Sequence, residues 1–107
     1  MTNHIYSLIE IKYLSKPVFK KYNISDAYIF GSYARGTASI NSDIDFLINT
    51  EGSSVKSLLS MGALYCDLEE IFDKKIDLIT MNSLLQRANM ESERAFKARV
   101  IQERVLL

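Results

Sequence analysis

The chain has 107 residues, 48% hydrophobic and 24% charged, with four Gly and one Pro, and its thirteen basic residues balance thirteen acidic ones. That composition predicts one ordinary globular domain over residues 1–107 and excludes disorder, collagen-like repeats and low-complexity tracts. A zero net charge gives no overall attraction to a nucleic-acid backbone or an anionic membrane.

The longest stretch without Asp, Glu, Lys or Arg, Ser57 to Cys66, has ten residues, against the roughly 20 needed to cross a bilayer. No membrane span is expected. Met1 to Ile9 lacks the basic segment, apolar run and cleavage site of an export signal, so the expected location is cytoplasmic. Cys66 is the only cysteine and His4 the only histidine, which excludes an internal disulfide and a Cys/His zinc site. His4 is expected to be solvated and Cys66 to be a small packing residue. Any metal must then be held by oxygen.

In chain order, Leu8, Ile9, Ile11, Leu14, Val18, Phe19 and Tyr22 recur at helical spacing, with Pro17 inside the run. They predict one kinked helix or two short ones. Ala27 to Phe30 is a short β-favouring run that stops at Gly31, and Ile44 to Asn49 is a second. After the serine cap candidates at Ser53 and Ser54, Val55, Leu58, Leu59, Leu64, Leu68, Ile71 and Phe72 fit a helix to about Phe72, weakened in the middle by Gly62. Lys75 to Thr80 predicts a third strand, with Ile76 and Leu78 on one face and Asp77 and Ile79 on the other. Ser83 and Gln86 have capping-box spacing, and from Glu91 an amphipathic helix carries Phe96, Val100, Ile101 and Val105. The charges beyond Gln86, Arg99 and Glu103 among them, read first as a solvated helix face. The expected fold is α/β in the α+β sense: a small mixed sheet of about three strands flanked by helices, around one two-layer core.

The chemistry gathers in Gly31-Ser32-Tyr33-Ala34-Arg35-Gly36-Thr37-Ala38 and in Ser42-Asp43-Ile44-Asp45-Phe46-Leu47-Ile48. A Gly-Ser turn directly after a strand can aim backbone amides and a hydroxyl at a phosphate, and a short helix starting there would point its positive end the same way. Taken alone, it is an ordinary strand-to-helix turn. Asp43 and Asp45, two apart on a strand, would emerge on one face, where paired carboxylates call for a cation or a shared proton. Hard oxygen ligands favour Mg2+ or Mn2+ with a triphosphate completing the shell; taken alone, the pair is a loop cap and a solvated strand edge. If Ser54 to Phe72 is a crossover helix, strands 44–49 and 75–80 lie parallel, and Asp45 and Asp77 share one end of the sheet. If the strand ending at Phe30 is antiparallel to 44–49, Gly31 and Ser32 arrive there too.

Gly-Ser, ten intervening residues, then Asp-x-Asp at the head of an apolar strand, with a later strand Asp, resembles the nucleotidyltransferase superfamily that includes DNA polymerase β. The likeness is to its minimal, single-domain members and covers about Pro17 to Thr80, including Lys-Pro-Val-Phe-Lys-Lys-Tyr-Asn-Ile before the turn. The resemblance implies that Gly31 and Ser32 bind the triphosphate of ATP. It also implies that Asp43 and Asp45 hold catalytic Mg2+ or Mn2+, and that Asp77 joins a metal and helps deprotonate the attacking hydroxyl. Arg35 would neutralise phosphate or serve as an outward structural arginine.

Small members of this family are similar to antitoxins that adenylylate a tyrosine of a HEPN-type ribonuclease toxin. The expected function is therefore transfer of AMP from ATP to a partner protein, within a hetero-oligomer. The alternative is a module that neutralises its partner by contact alone, and a transferase for tRNA ends or aminoglycosides is disfavoured. The absence of Gly-x-x-x-x-Gly-Lys-Ser/Thr disfavours a P-loop enzyme. The acceptor site is expected to be completed by another chain, docked on Phe96, Val100, Ile101 and Val105 and on Leu106 and Leu107 beyond them; for Phe96 and Val100, covering the sheet is an equal alternative.

Overall fold

The computed structural model describes residues 2–87, 90 and 93–107. In chain order the elements are α1 (Leu8–Lys21), β1 (Asp26–Phe30), α2 (Gly31–Arg35), β2 (Ile44–Asn49), α3 (Leu58–Phe72), β3 (Ile76–Thr80), α4 (Met81–Arg87), α5 (Arg94–Glu103) and β4 (Val105–Leu106). Helix α1 starts on a capping box in which the Ser7 hydroxyl accepts from Glu10 N and Glu10 Oε1 accepts from Ser7 N. It is a single helix containing Pro17. Pro17 lies on the exposed face, as does Tyr13, whose carbonyl loses its usual donor to the missing N–H, and water can take its place.

Helix α3 is capped by Ser57 rather than by Ser53 or Ser54, and it leaves Cys66 exposed instead of packed. Helix α4 starts at Met81, where Thr80 Oγ1 accepts from Ser83 N, so Thr80 and not Ser83 is the capping side chain. The expected start of the last helix at Glu91 lies outside the described residues.

The strands form a mixed sheet in the order β3-β2-β1-β4, with β2 and β3 parallel and β1 antiparallel to both β2 and β4. Parallel pairing of β2 with β3 follows from the α3 crossover between them. Side-chain alternation then divides the apolar residues between two faces. Ile44, Phe46 and Ile48 of β2, Ile29 of β1 and Ile76 of β3 meet Ile11, Val18 and Phe19 of α1 and Leu64, Leu68 and Phe72 of α3. On the opposite face Phe30, Leu47 and Ile79 meet Leu84 of α4 and Val100 of α5. Helices thus cover both faces, where a two-layer core was expected, and β2 is buried along almost its whole length. Full burial of each large aliphatic or aromatic side chain stabilises the fold by about 1.5–3 kcal/mol.

The fourth strand corrects the reading of the C-terminal segment. Helix α5 stops at Glu103, Arg104 turns extended, and Val105 and Leu106 pair with Ile29 and Tyr28 of β1. Leu107 N donates to Ala27 O at 3.0 Å, and its side chain packs against the larger core. An open strand edge offers unpaired backbone groups, and filling them outweighs one more helical turn. Phe96 and Ile101 pack on the smaller cluster around buried Val100, so of the residues assigned to docking only Leu106 remains largely exposed. Deleting residues 105–107 is therefore expected to lower unfolding stability by about 2 kcal/mol or more, since ladder hydrogen bonds and apolar burial are both lost. Urea denaturation measures it, and an unchanged midpoint would restore the segment to a purely external role.

Candidate active site

The corner where β1 ends and β2 and β3 begin gathers the predicted residues. Phe30 stands opposite Asp45 in the antiparallel β1–β2 ladder, so Gly31 and Ser32 follow at once beside Asp45. Asp45 stands opposite Asp77 in the parallel β2–β3 ladder. Register neighbours in a sheet point to the same side, and here that side is the one carrying the smaller cluster, since Leu47 and Ile79 lie two residues further along each strand. The conditional topology read from the sequence is the observed one.

Gly31 is required twice over. Its φ of 74° lies in the left-handed region, and a Cβ at this position would collide with Asp45 Oδ2. The turn and the acid are therefore fitted to each other. Ser32 lines the cavity that opens in front of them, whereas Tyr33 turns the other way, into the larger core.

This cavity has a volume of about 530 Å³ and is lined by Phe30, Gly31, Ser32, Arg35, Asp45, Asp77, Phe96, Arg99, Val100 and Glu103. Asp43 is placed differently from the expectation. It precedes β2 in the loop rather than lying on the strand, and it does not line the cavity, although its charge is felt at Asp45. A second cavity of about 440 Å³, bordered by Lys12, Lys16, Lys20, Phe19 and Leu107, has no carboxylate, thiol or imidazole side chain in its lining. The candidate site is therefore the first.

Burial pushes the Asp45 carboxyl up to about 7, helped by repulsion from Asp77 and Asp43 and, more weakly, from Glu103, while Arg35 pulls it down. Among the described residues no three or more His, Cys, Asp or Glu side chains form a ready-made metal cage. The donor set nonetheless fits a hard divalent cation, because Asp45 and Asp77 are carboxylates in register on one face and Asp45 is held near neutrality for lack of countercharge. Lys74, which the sequence puts near Asp77, is buried and donates from Nζ to Ile40 O at 2.9 Å, tying down the loop that leads to Asp43.

Sequence reasoning missed the contribution of α5. Phe96, Arg99 and Glu103 wall the cavity, Phe96 meeting Phe30 edge-on at 6.4 Å with the Arg99 guanidinium 5.8 Å from its ring centre. Glu103 Oε1 and Oε2 accept from Arg35 Nη1 at 2.9 and 3.0 Å, and Oε2 accepts from Gly31 N at 3.3 Å. The available signal was an acid on the helical stripe that also carries Phe96 and Val100.

The raised Asp45 pKa has a definite sign in stability. Unfolded, an aspartate titrates near 3.9, so between about pH 4 and 7 the folded state retains a proton the unfolded chain has released. The associated stabilisation is complete below about pH 4 and is lost as pH rises through about 7. Without divalent cations the protein should melt several degrees higher at pH 5 than at pH 8, and Asp45→Asn should flatten the difference by raising the pH 8 value. Thermal melts in EDTA check this, and an unaltered profile in the variant would remove Asp45 as its source.

Comparison with known proteins agrees with this fold. The family described as "Polymerase beta, Nucleotidyltransferase" matches residues 15–107. A Methanocaldococcus jannaschii protein assigned as a protein adenylyltransferase is 43% identical over 75 residues, covering 70% of this chain and 78% of its own. Among solved structures, one assigned as a minimal nucleotidyltransferase superposes with a TM-score of 0.70 at 22% identity, covering 99% of this chain and 100% of the other. A toxin–antitoxin structure with AMP-PNP gives 0.59 at 19% identity over 85% and 84% of the two chains. The toxin–antitoxin pair MntA–HpeT, carrying a tyrosine-to-alanine substitution, gives 0.61 at 21% over 96% and 72%. At these identities the structural likenesses speak for the fold, a mixed sheet flanked by helices. The family match takes in all four strands and the whole corner between them, and on that ground the chain belongs to the polymerase β nucleotidyltransferase family and is a nucleotidyltransferase.

Proposed function

We propose that this protein moves AMP from ATP to a tyrosine hydroxyl of a partner protein, a HEPN-type toxin that it neutralises as an antitoxin. The observation that carries the reading is the juxtaposition of Gly31, Asp45 and Asp77 at one end of the sheet. Support for the acceptor comes from the M. jannaschii relative assigned as a protein adenylyltransferase and from fold neighbours that are toxin–antitoxin pairs, one of them with AMP-PNP and another with an altered tyrosine.

In this reading the Gly31 amide and the Ser32 hydroxyl donate to the phosphates, and Arg35 offsets part of their charge. Asp45 and Asp77, joined by Asp43 from the loop before β2, would hold Mg2+ or Mn2+, which would balance the carboxylates against the triphosphate and acidify the acceptor hydroxyl. Asp77 sits beside Asp45 on the outer strand β3, open to an incoming hydroxyl, and takes its proton. The hydroxyl oxygen bonds to the α-phosphorus as the bond to the bridging oxygen of the β-phosphate breaks, and pyrophosphate leaves with that electron pair. Both substrates must be held together for this displacement, which is the role assigned to the protein–protein complex.

The experiment is incubation with ATP, Mg2+ and a HEPN-type toxin, followed by intact-mass measurement of both chains. A gain of one or more whole AMP increments on the toxin is expected. Asp77→Asn should slow transfer by about 10²-fold or more with the fold unchanged or slightly more stable, and Asp45→Asn should weaken both transfer and ATP binding. A stable, neutralised complex with no mass change would replace catalysis by contact alone. Full-rate transfer by Asp77→Asn would remove that residue from the proton path.

A further inference from the structure

The cavity already contains an anion, and it belongs to the chain itself. The Glu103 carboxylate accepts from the Gly31 amide at 3.3 Å and takes both of its oxygens to Arg35 Nη1, at 2.9 and 3.0 Å. A backbone amide and a guanidinium converging on oxygens of one small anion is the recognition pattern that a phosphate uses. The Glu103 side chain is only 15% exposed, so it is held in the cavity rather than swinging in solvent. Its backbone is fixed from both sides, by buried Val100 one turn earlier in α5 and by the β4 pairing with β1 immediately after.

We propose that Glu103 is a built-in competitor for the nucleotide's phosphates: its carboxylate occupies the Gly31 amide and the Arg35 guanidinium, and nucleotide binding requires that it be displaced. The inference rests on the reading of this corner as the nucleotide site and adds a regulating residue to it. The single Gly31 N–H cannot serve a carboxylate and a phosphate at once, and both bonds from Arg35 Nη1 already go to Glu103. Glu103 lines the same cavity as Asp45 and Asp77, so its charge also faces the acidic side, where a triphosphate would meet it. Displacement needs only side-chain rotation, because the α5 and β4 anchors hold the backbone and not the carboxylate. Arg35, 46% exposed on its side chain, can follow an incoming phosphate without leaving the site.

Titration calorimetry on the full chain with Mg2+ tests the proposal, using ATP and inorganic tripolyphosphate as separate ligands. Glu103→Gln keeps the shape and removes the charge, and Glu103→Ala removes the carboxylate altogether. Both should bind both ligands about tenfold more tightly than the parent, a change of about 1.4 kcal/mol. Glu70→Gln, which deletes a charge from the exposed side of α3 on the other face of the sheet, should leave both affinities unchanged. If Glu103→Ala folds poorly, the Gly31 amide proton resonance still decides. Saturating tripolyphosphate should bring it to the same position in the parent and in Glu103→Gln, since the phosphate has then replaced the side chain at 103 in both, and end points that stay apart would overturn displacement.

Equal or weaker binding by the Glu103 variants, with a parent that binds ATP and an Asp45→Asn variant that does not, would overturn the competitor role while keeping the site. A parent whose ATP binding is absent, or indifferent to Asp45→Asn, would overturn both. Tightening by Glu70→Gln as large as that by Glu103→Gln would reduce the effect to net charge and likewise overturn the proposal.

Discussion

The contact on which the architecture turns is that between the Asp45 carboxylate and the Cα of Gly31. No side chain fits between them, and the left-handed φ of Gly31 lets the chain leave β1 and begin α2 without withdrawing from the acid. Everything that places these two residues is long-range. The antiparallel register sets Phe30 opposite Asp45, and the α3 crossover brings Asp77 beside Asp45 from the other side. Because β2 is paired along both edges and buried on both faces, Asp45 cannot retreat toward water, and its pKa rises accordingly.

The two faces of the sheet divide the work. The larger cluster, built on Phe19, Phe46, Leu64, Leu68 and Phe72 beneath α1 and α3, contains no site residue and supplies most of the apolar burial. The smaller cluster, around Phe30, Leu47, Ile79, Leu84 and Val100, stops short of the strand beginnings, and the cavity opens where it stops. Acids that repel one another are tolerated there because the opposite face secures the strands that carry them. A stiff scaffold on one side and a polar, open corner on the other is how a small sheet holds charged groups at a fixed separation.

The C-terminal segment joins these regions. By pairing with β1, β4 covers the edge next to the site strand, and the same pairing holds the last turn of α5 over the cavity mouth. Phe96 and Arg99 thereby become walls of the site, and Glu103 meets Gly31 and Arg35 from the far side. A segment that contributes to stability and reaches the Gly31 turn couples the two, since what loosens β4 also loosens the acid lying on the turn.

The sequence by itself determined the local grammar: the strand that must end at Gly31, the Asp-x-Asp at the head of an apolar run, the third strand with Asp77 facing away from Ile76, and the two long helices. These features rest on spacing and residue type within a few positions, which is the range over which side-chain periodicity and backbone preference act. Convergence of the three segments was legible only as a condition on strand direction, and the sheet order supplied it. What tertiary structure alone decided involves partners distant in sequence. Val105 and Leu106 continue a helical apolar pattern, and only the open edge of β1 makes them a strand. Asp43 has the strand spacing of Asp45 but lies in the loop before β2, where the Lys74 bond to Ile40 holds the chain. Glu103 reads as one more solvated charge on a helix until the packing of α5 turns it toward Gly31, because a single helix's periodicity says which residues share a face and not what that face will meet.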